Sequence, residues 1–323
     1  MNSTRRHRPS PAAILLVPLA VALVLTLFAW PNARLEPRDL PVGVAGAPAA
    51  AEAVEQRLAA REGAFDVHRY GDEKAARRAI EDREVYGAFV AAPAGGKVLV
   101  ASAASPAVAQ TLTHAASEGG APAGSRAVPV QDVVAAPPAA NALASSVLPL
   151  VIAGLLTGVA GVTLVSGALA RAGLVLAGSI LAGLVATAIV QSWLGVIQGD
   201  WAANAAALSL TVLAIASVVA GLEALLGKAG LIIAALTMIL VGNPFSGVGT
   251  APEMLPAPAG TIGQLLPPGA GGNLLRSTGF FDGASAGEHI TVLVVWTLAG
   301  LAALLAAGVR DRRPATAQAP AAA

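Results

Sequence analysis

Residues 146–309 hold only three basic side chains, Arg171, Lys228 and Arg276, and five acidic ones, Asp200, Glu223, Glu253, Asp282 and Glu288. Water-soluble domains average about one charged residue in four. A stretch this poor in charge must bury most of its surface in something other than water. Residues 31–145 are different, with eleven Lys/Arg and thirteen Asp/Glu. The chain therefore reads as a water-soluble part followed by a membrane part.

A bilayer core about 30 Å thick takes roughly 20 apolar residues to cross as a helix. Six segments meet that length: 12–30, 147–170, 173–197, 205–226, 229–248 and 290–309. The fold class expected is an α-helical integral membrane bundle of six transmembrane helices, with an α/β domain inserted between helices 1 and 2. The first span, "AAILLVPLAVALVLTLFAW", exceeds the 7–15 apolar residues of a typical signal peptide and has no A-x-A site after it. It reads as an uncleaved anchor.

Orientation follows from the basic residues flanking the spans. Arg5, Arg6 and Arg8 precede span 1, Arg171 lies between spans 2 and 3, Lys228 between spans 4 and 5, and Arg310, Arg312 and Arg313 after span 6. With six spans and a cytoplasmic start, all four groups fall on the cytoplasmic side, as the positive-inside rule requires. The organisation expected is then a cytoplasmic basic tail (1–11), span 1 (12–30), an extracytoplasmic α/β domain (31–145), a five-helix membrane domain (146–309) and a disordered cytoplasmic tail (310–323). The bias towards Ala, Gly, Pro and Arg suggests a GC-rich bacterial genome, and so a multi-pass protein of the bacterial plasma membrane.

The charged domain alternates strand and helix patterns. "LPVGVAG", "FDVHRY", "VYGAFVAAP", "KVLVASAA" and "AVPVQDVVAAPP" read as strands, with a turn at Gly95-Gly96. "AAAEAVEQRLAARE", "DEKAARRAIEDRE" and "SPAVAQTLTHAASEG" read as helices, the second capped by Asp72 and the third by Ser105 ahead of a first-turn proline. The order is βαβαββαβ.

Catalytic motifs are weak. "GLEALLGKAG" places five residues between its glycines where a phosphate loop has four, and Ala229 stands where the magnesium-binding Ser/Thr belongs. "GASAG" (283–287) matches the nucleophile-elbow pattern but precedes a span instead of following a strand. The four histidines are scattered and there is no cysteine, so no metal or other cofactor site is expected. Nor is nucleic-acid binding, since no basic face exists. No enzyme activity is expected of the chain itself. Polar groups inside the spans carry more weight. Glu223 lies about a turn from the cytoplasmic end of span 4, as a candidate for the translocation path or as a loose partner of Lys228. Gln191, deeper in span 3, either lines a path or bonds a neighbouring helix. Gly154 and Gly158 form a G-x-x-x-G suited to close helix packing.

After span 5 the chain reads "GNPFSGVGTAPEMLPAPAGTIGQLLPPGAGGNLLRSTGFFDGA". Asn243-Pro244 is expected to end or kink the helix. Residues 250–285 are too broken to span and too apolar for a solvated loop. They read as a re-entrant outer segment of two short dips, joined by a turn at Pro267-Pro268-Gly269. Arg276 is placed at the outer headgroup level or across an outer vestibule. Asn243, Pro244 and Arg276 thus join Glu223 and Gln191 as candidate translocation or gating residues.

This segment, with "LPVGVAG" and "REVYGAFVAAP", resembles ABC-2 type transporter permeases of the actinobacterial branch similar to YhgE/Pip membrane proteins. The resemblance covers nearly the whole chain. It implies the membrane-spanning subunit of an exporter, paired as a homodimer or with a second permease subunit and driven by a separate cytoplasmic ATP-binding subunit. The inner loops "LARAG" and "LGKAG" are short for such coupling. They keep open a second class, a membrane-anchored envelope scaffold or surface receptor with an external binding domain.

Overall fold

The computed structural model describes residues 11–92, 96–118 and 128–311. The expected basic tail at the start, Gly95 of the expected turn, and the tail from Arg312 lie outside the described residues. Five helices are long and apolar enough to cross a membrane. They are α1 (Pro11–Ala33), α5 (Leu143–Leu164), α6 (Ala168–Thr187, extended by π turns Ala188–Trp193), α7 (Trp201–Leu226) and α11 (Ala286–Asp311).

The expected span over 229–248 forms a shorter helix. It comprises α8 (Lys228–Leu236) and six residues of π turn, Thr237–Gly242. At 1.5 Å per residue this rises about 22 Å, short of the roughly 30 Å of a bilayer core. The helix stops where Asn243 and Pro244 form a turn, with the Asn243 carbonyl accepting from Ser246 N and Oγ.

The bundle is built around α7. Within the apolar stretch of α7, 72% is buried inside the protein, against 33% for α5, 28% for α11, 22% for α6 and 6% for α1. Small residues make this possible. A Cβ placed on Gly154 or Gly158 of α5 would lie 2.6 Å from Ile215 or Val219 of α7. One on Gly300 of α11 would lie 2.3 Å from the backbone carbon of Ser217. With almost no side chain between them, these helices approach to backbone contact, the packing mode available where lipid offers no hydrophobic drive.

Between α1 and α5 lies the α/β lobe. Its sheet has the order β2-β1-β3-β4-β5 (β1 Leu40–Gly46, β2 Phe65–Tyr70, β3 Gly87–Ala91, β4 Lys97–Val100, β5 Val130–Asp132). All pairs are parallel except β3–β4. The interior strand β1 is apolar throughout, as suits a strand covered on both faces. Its side chains alternate. Leu40, Val42 and Val44 pack under α2 (Pro48–Ala59) and α4 (Pro106–Glu118). Ala45 packs with Ala76, Ala79 and Ile80 of α3 (Glu73–Glu81) on the other face. Asp72 Oδ1 caps α3 by accepting from Ala75 N at 2.7 Å, and Ser105 Oγ caps α4 from Val108 N at 3.1 Å.

Contacts define two ends of the bundle. Gln198 N donates to Gly279 O, Trp30 stacks edge-on to Phe245, and Ser285 Oγ donates to Asp82 O, so these segments share the lobe end. At the far end Arg171 pairs with Glu223, and Gly308 lies against Ala168. Gly300→Ala is expected to force α11 from α7 and destabilise the fold by about 1–3 kcal/mol, the usual cost of overpacking. Gly173→Ala, with nothing within 4 Å of the added Cβ, is expected to be neutral or slightly stabilising. Thermal unfolding of the two variants in one detergent measures the contrast.

Candidate functional site

The chain from Asn243 to Ser285 does not cross the bundle but folds over its lobe end. It contains a 3₁₀ turn (Pro252–Met254), α9 (Ala259–Gln264) and α10 (Pro267–Phe280). Pro267 and Pro268 do not form the expected turn between two dips; they open α10. Proline suits that position because the first helical N–H groups have no intrahelical acceptor. The reversal falls at Leu265 and Leu266 instead. Glycine is required where this segment folds on itself: a Cβ on Gly263 would sit 1.6 Å from Phe245 O, and one on Gly271 2.3 Å from Thr211 of α7. Twelve of the fourteen residues of α10 are buried.

Arg276, at 3% exposure, is enclosed by protein and faces no headgroup layer. Its Nη2 donates to Val248 O at 2.8 Å and its Nη1 reaches Asn273 Oδ1 at 3.4 Å, while Nε has no partner. A second arginine reaches the same helix from the lobe. Arg83, in the turn after α3 with φ +60°, donates through Nη1 to Asn273 O at 3.1 Å and to Ser277 Oγ, and through Nη2 to Asn273 Oδ1 at 3.2 Å. Its guanidinium also lies 5.4 Å from the Phe281 ring centroid, within cation–π range. Asn273 Nδ2 continues the network to Gln264 Oε1 at 2.7 Å, and Gln264 Nε2 to Ser246 O at 2.8 Å.

Further contacts bind the lobe to this segment. Tyr86 OH donates to Glu253 Oε2 at 2.9 Å. Glu36 N donates to Met254 O and Arg38 N to Glu253 O. Ala251 and Met254 complete the core beneath α2 and α4, and Phe281 completes the core beneath α3. Burial holds the Tyr86 phenol well above the usual tyrosine range, and the Glu253 carboxylate adds to the shift. Burial also lowers the Arg83 pKa from its ordinary value, opposed by Tyr86 and Glu253.

Where lobe, covering segment and α11 meet, a cleft of about 700 Å³ opens. Arg83, Glu84, Glu253, Gln264, Glu288 and His289 are among its polar lining. The volume falls within the usual range for small-molecule sites. Among the described residues no cluster of His, Cys, Asp and Glu could hold a metal.

The residues singled out in the sequence are dispersed. Glu223 lies at the far end, 3.6 Å from Arg171 Nη1, so its ion-pair partner is Arg171 and not the expected Lys228. Gln191 sits in the π turns at the lobe end of α6. It donates to Gly199 O and accepts from Asn204 Nδ2. Asn204, fully buried, accepts in turn from Thr278 of α10. Gln191 thus ties the α6–α7 turn to α10. Asn243 and Pro244 stand where α8 ends, and Gly154 and Gly158 face α7. The "GASAG" serine, Ser285, bonds to the lobe, and Gly227 of "GLEALLGKAG" is the turn between α7 and α8 at φ +62°. Arg83 and Asn273, which join lobe to membrane unit, were not singled out. Their bond spans 190 positions, and only the charge in an otherwise ordinary helix-ending turn hints at Arg83.

Comparison with protein-family models, curated proteins and solved structures finds no match.

The chain's two tyrosines, Tyr70 and Tyr86, are both raised, each chiefly by burial. The fold therefore favours the protonated phenols. The stability they contribute is fully present below about pH 10, the unfolded tyrosine value, and is lost as pH rises from there through the folded values. Absorbance titration at about 295 nm, where tyrosinate absorbs, is expected to place the ionisation of both tyrosines at higher pH in the folded protein than after denaturation, with Tyr86 the later of the two. Glu253→Gln, which removes the adjacent charge, is expected to move the Tyr86 step back down.

Proposed function

We propose that the chain is the membrane-spanning subunit of an ABC-2-like exporter in the bacterial plasma membrane, working with a separate cytoplasmic ATPase. In this reading α8 is a short fifth of six spans, both chain ends lie in the cytosol and the lobe lies outside. The bundle's far end carries Arg171, Lys228 and Arg310, which supports that orientation through the positive-inside rule. The observation that carries the reading is the covered end of the bundle. Backbone that does not span is tolerated at membrane depth only under protein or beside water. Here 243–285 has both, packed beneath the lobe and bordering the cleft, an arrangement suited to an exit gate. Two copies would pair across apolar helix faces, since α7 fills the centre of one copy.

A second reading is an envelope scaffold or receptor. The far-end connections favour it. Only Val165–Gly167 separate α5 from α6 and only Gly227 separates α7 from α8, which leaves an ATPase little to grip.

The absence of cysteine lets single thiols report orientation without background. With Glu81→Cys in the lobe and Lys228→Cys at the far end, an impermeant maleimide is expected to label the first in intact cells and the second only after lysis. The reverse pattern overturns the orientation. In proteoliposomes a cognate ATP-binding subunit is expected to hydrolyse ATP faster when this chain is present, and Glu223→Gln to reduce the stimulation. If no ATP-binding subunit co-purifies in mild detergent and hydrolysis is unchanged, the scaffold reading replaces the exporter.

A further inference from the structure

The cleft has a charge imbalance. Arg83 is the one arginine or lysine in its lining, and its guanidinium is committed to Asn273, Ser277 and the Phe281 ring. Three carboxylates line the same space. Glu253 accepts from Tyr86, whereas Glu84 has a 3.4 Å contact from Tyr70, and both Glu84 and Glu288 are exposed. A cation entering the cleft would meet two exposed carboxylates that make no ion pair among the described residues, and the one guanidinium in the lining is already held by α10. The membrane side is apolar. Leu265 and Val292 line the cleft, Leu265 is 59% exposed, and beyond Val292 the lipid-facing surface of α11 continues through Val295, also 59% exposed. Glu288 and His289 precede Ile290, where the exposed apolar face of α11 begins. With α11 in a bilayer, the polar part of the cleft would sit at the boundary between water and hydrocarbon, with an exposed apolar track leading away from it.

We propose that this cleft binds an amphiphile with a cationic amine head group, which enters sideways from the bilayer surface on the lobe side. The amine lies between Glu84 and Glu288, and the chain runs over Leu265 towards Val295. Within the exporter reading, on which the term rests, this is the class of cargo; the binding itself requires only the cleft.

The test uses the full chain in phosphatidylcholine nanodiscs, with two photoreactive probes matched in length: a diazirine-bearing hexadecylamine and a diazirine-bearing hexadecanoic acid. The amine is expected to label peptides containing Leu265 and residues 288–295 well above the acid. The double variant Glu84→Gln/Glu288→Gln, whose side chains are exposed, is expected to lose about tenfold of that labelling, the equivalent of one partly desolvated ion pair. An unchanged unfolding midpoint shows that the variant is folded. Equal labelling by both probes, or amine labelling unaffected by the double variant, overturns the proposal. Replacing phosphatidylcholine by phosphatidylethanolamine separates two sources of the same chemistry. Competition identifies a resident aminolipid and absence of competition a free amine, and either supports the site. No ATPase or nucleotide is present, so failure of the exporter reading leaves this result unaffected, and the converse also holds.

Discussion

The arginine fork from the lobe into α10 is the interaction on which the rest of the molecule depends. Arg83 carries a formal charge partly out of water, and burial of such a group is tolerated only where donors and acceptors are matched. Asn273 and Ser277 provide that match. The surrounding contacts extend it, with Met254 and Ala251 under one face of the sheet and Phe281 under the other. The lobe is therefore not a module tethered by flexible linkers. Each face of its hydrophobic core is finished by residues from the membrane half of the chain, and the cleft exists because those surfaces are held in register.

The bundle beneath has a different logic. α7 is sheathed by glycine, alanine and serine contacts from α5, α6 and α11, so the centre of a single copy is filled. Within the covering segment, Arg276 and its bond to Val248 O hold α10 to the stretch that follows α8. Motion that lifted the lobe from the covering segment would have to break the Arg83 fork. The candidate gate and the candidate binding cleft are thus linked through Asn273, which both arginines contact.

Much of this was legible in the sequence. The caps at Asp72 and Ser105 fall where side-chain chemistry places them, and the succession of strands and helices along the lobe follows the apolar patterning. Length and composition identify the five long apolar helices. Features that depend on partners distant in the chain were not legible. Apolar composition carried the span reading of 229–248 past Gly242, although Asn243-Pro244 was itself expected to end or kink the helix and does end it. Pro267-Pro268 reads equally as a turn or a helix start, and the choice is made by the surfaces α10 packs against. Arg276 read as a residue of the outer headgroup level or of an outer vestibule, because no local signal shows that protein encloses it. Glu223 found Arg171 across the helix interface instead of Lys228 along its own chain.

The shared core also constrains biogenesis. The last strand of the sheet ends at Asp132, yet Phe281, which seals one face, is made 149 residues later. At ribosomal speeds of about 5–20 residues per second, that interval is on the order of 7–30 s. A nascent lobe must wait through it with greasy surface uncovered while three further long apolar helices, α5, α6 and α7, and the shorter α8 are made. Such a delay suits a chain that is shielded by a holding factor as it emerges, and it makes the order of insertion part of what determines whether the molecule matures at all.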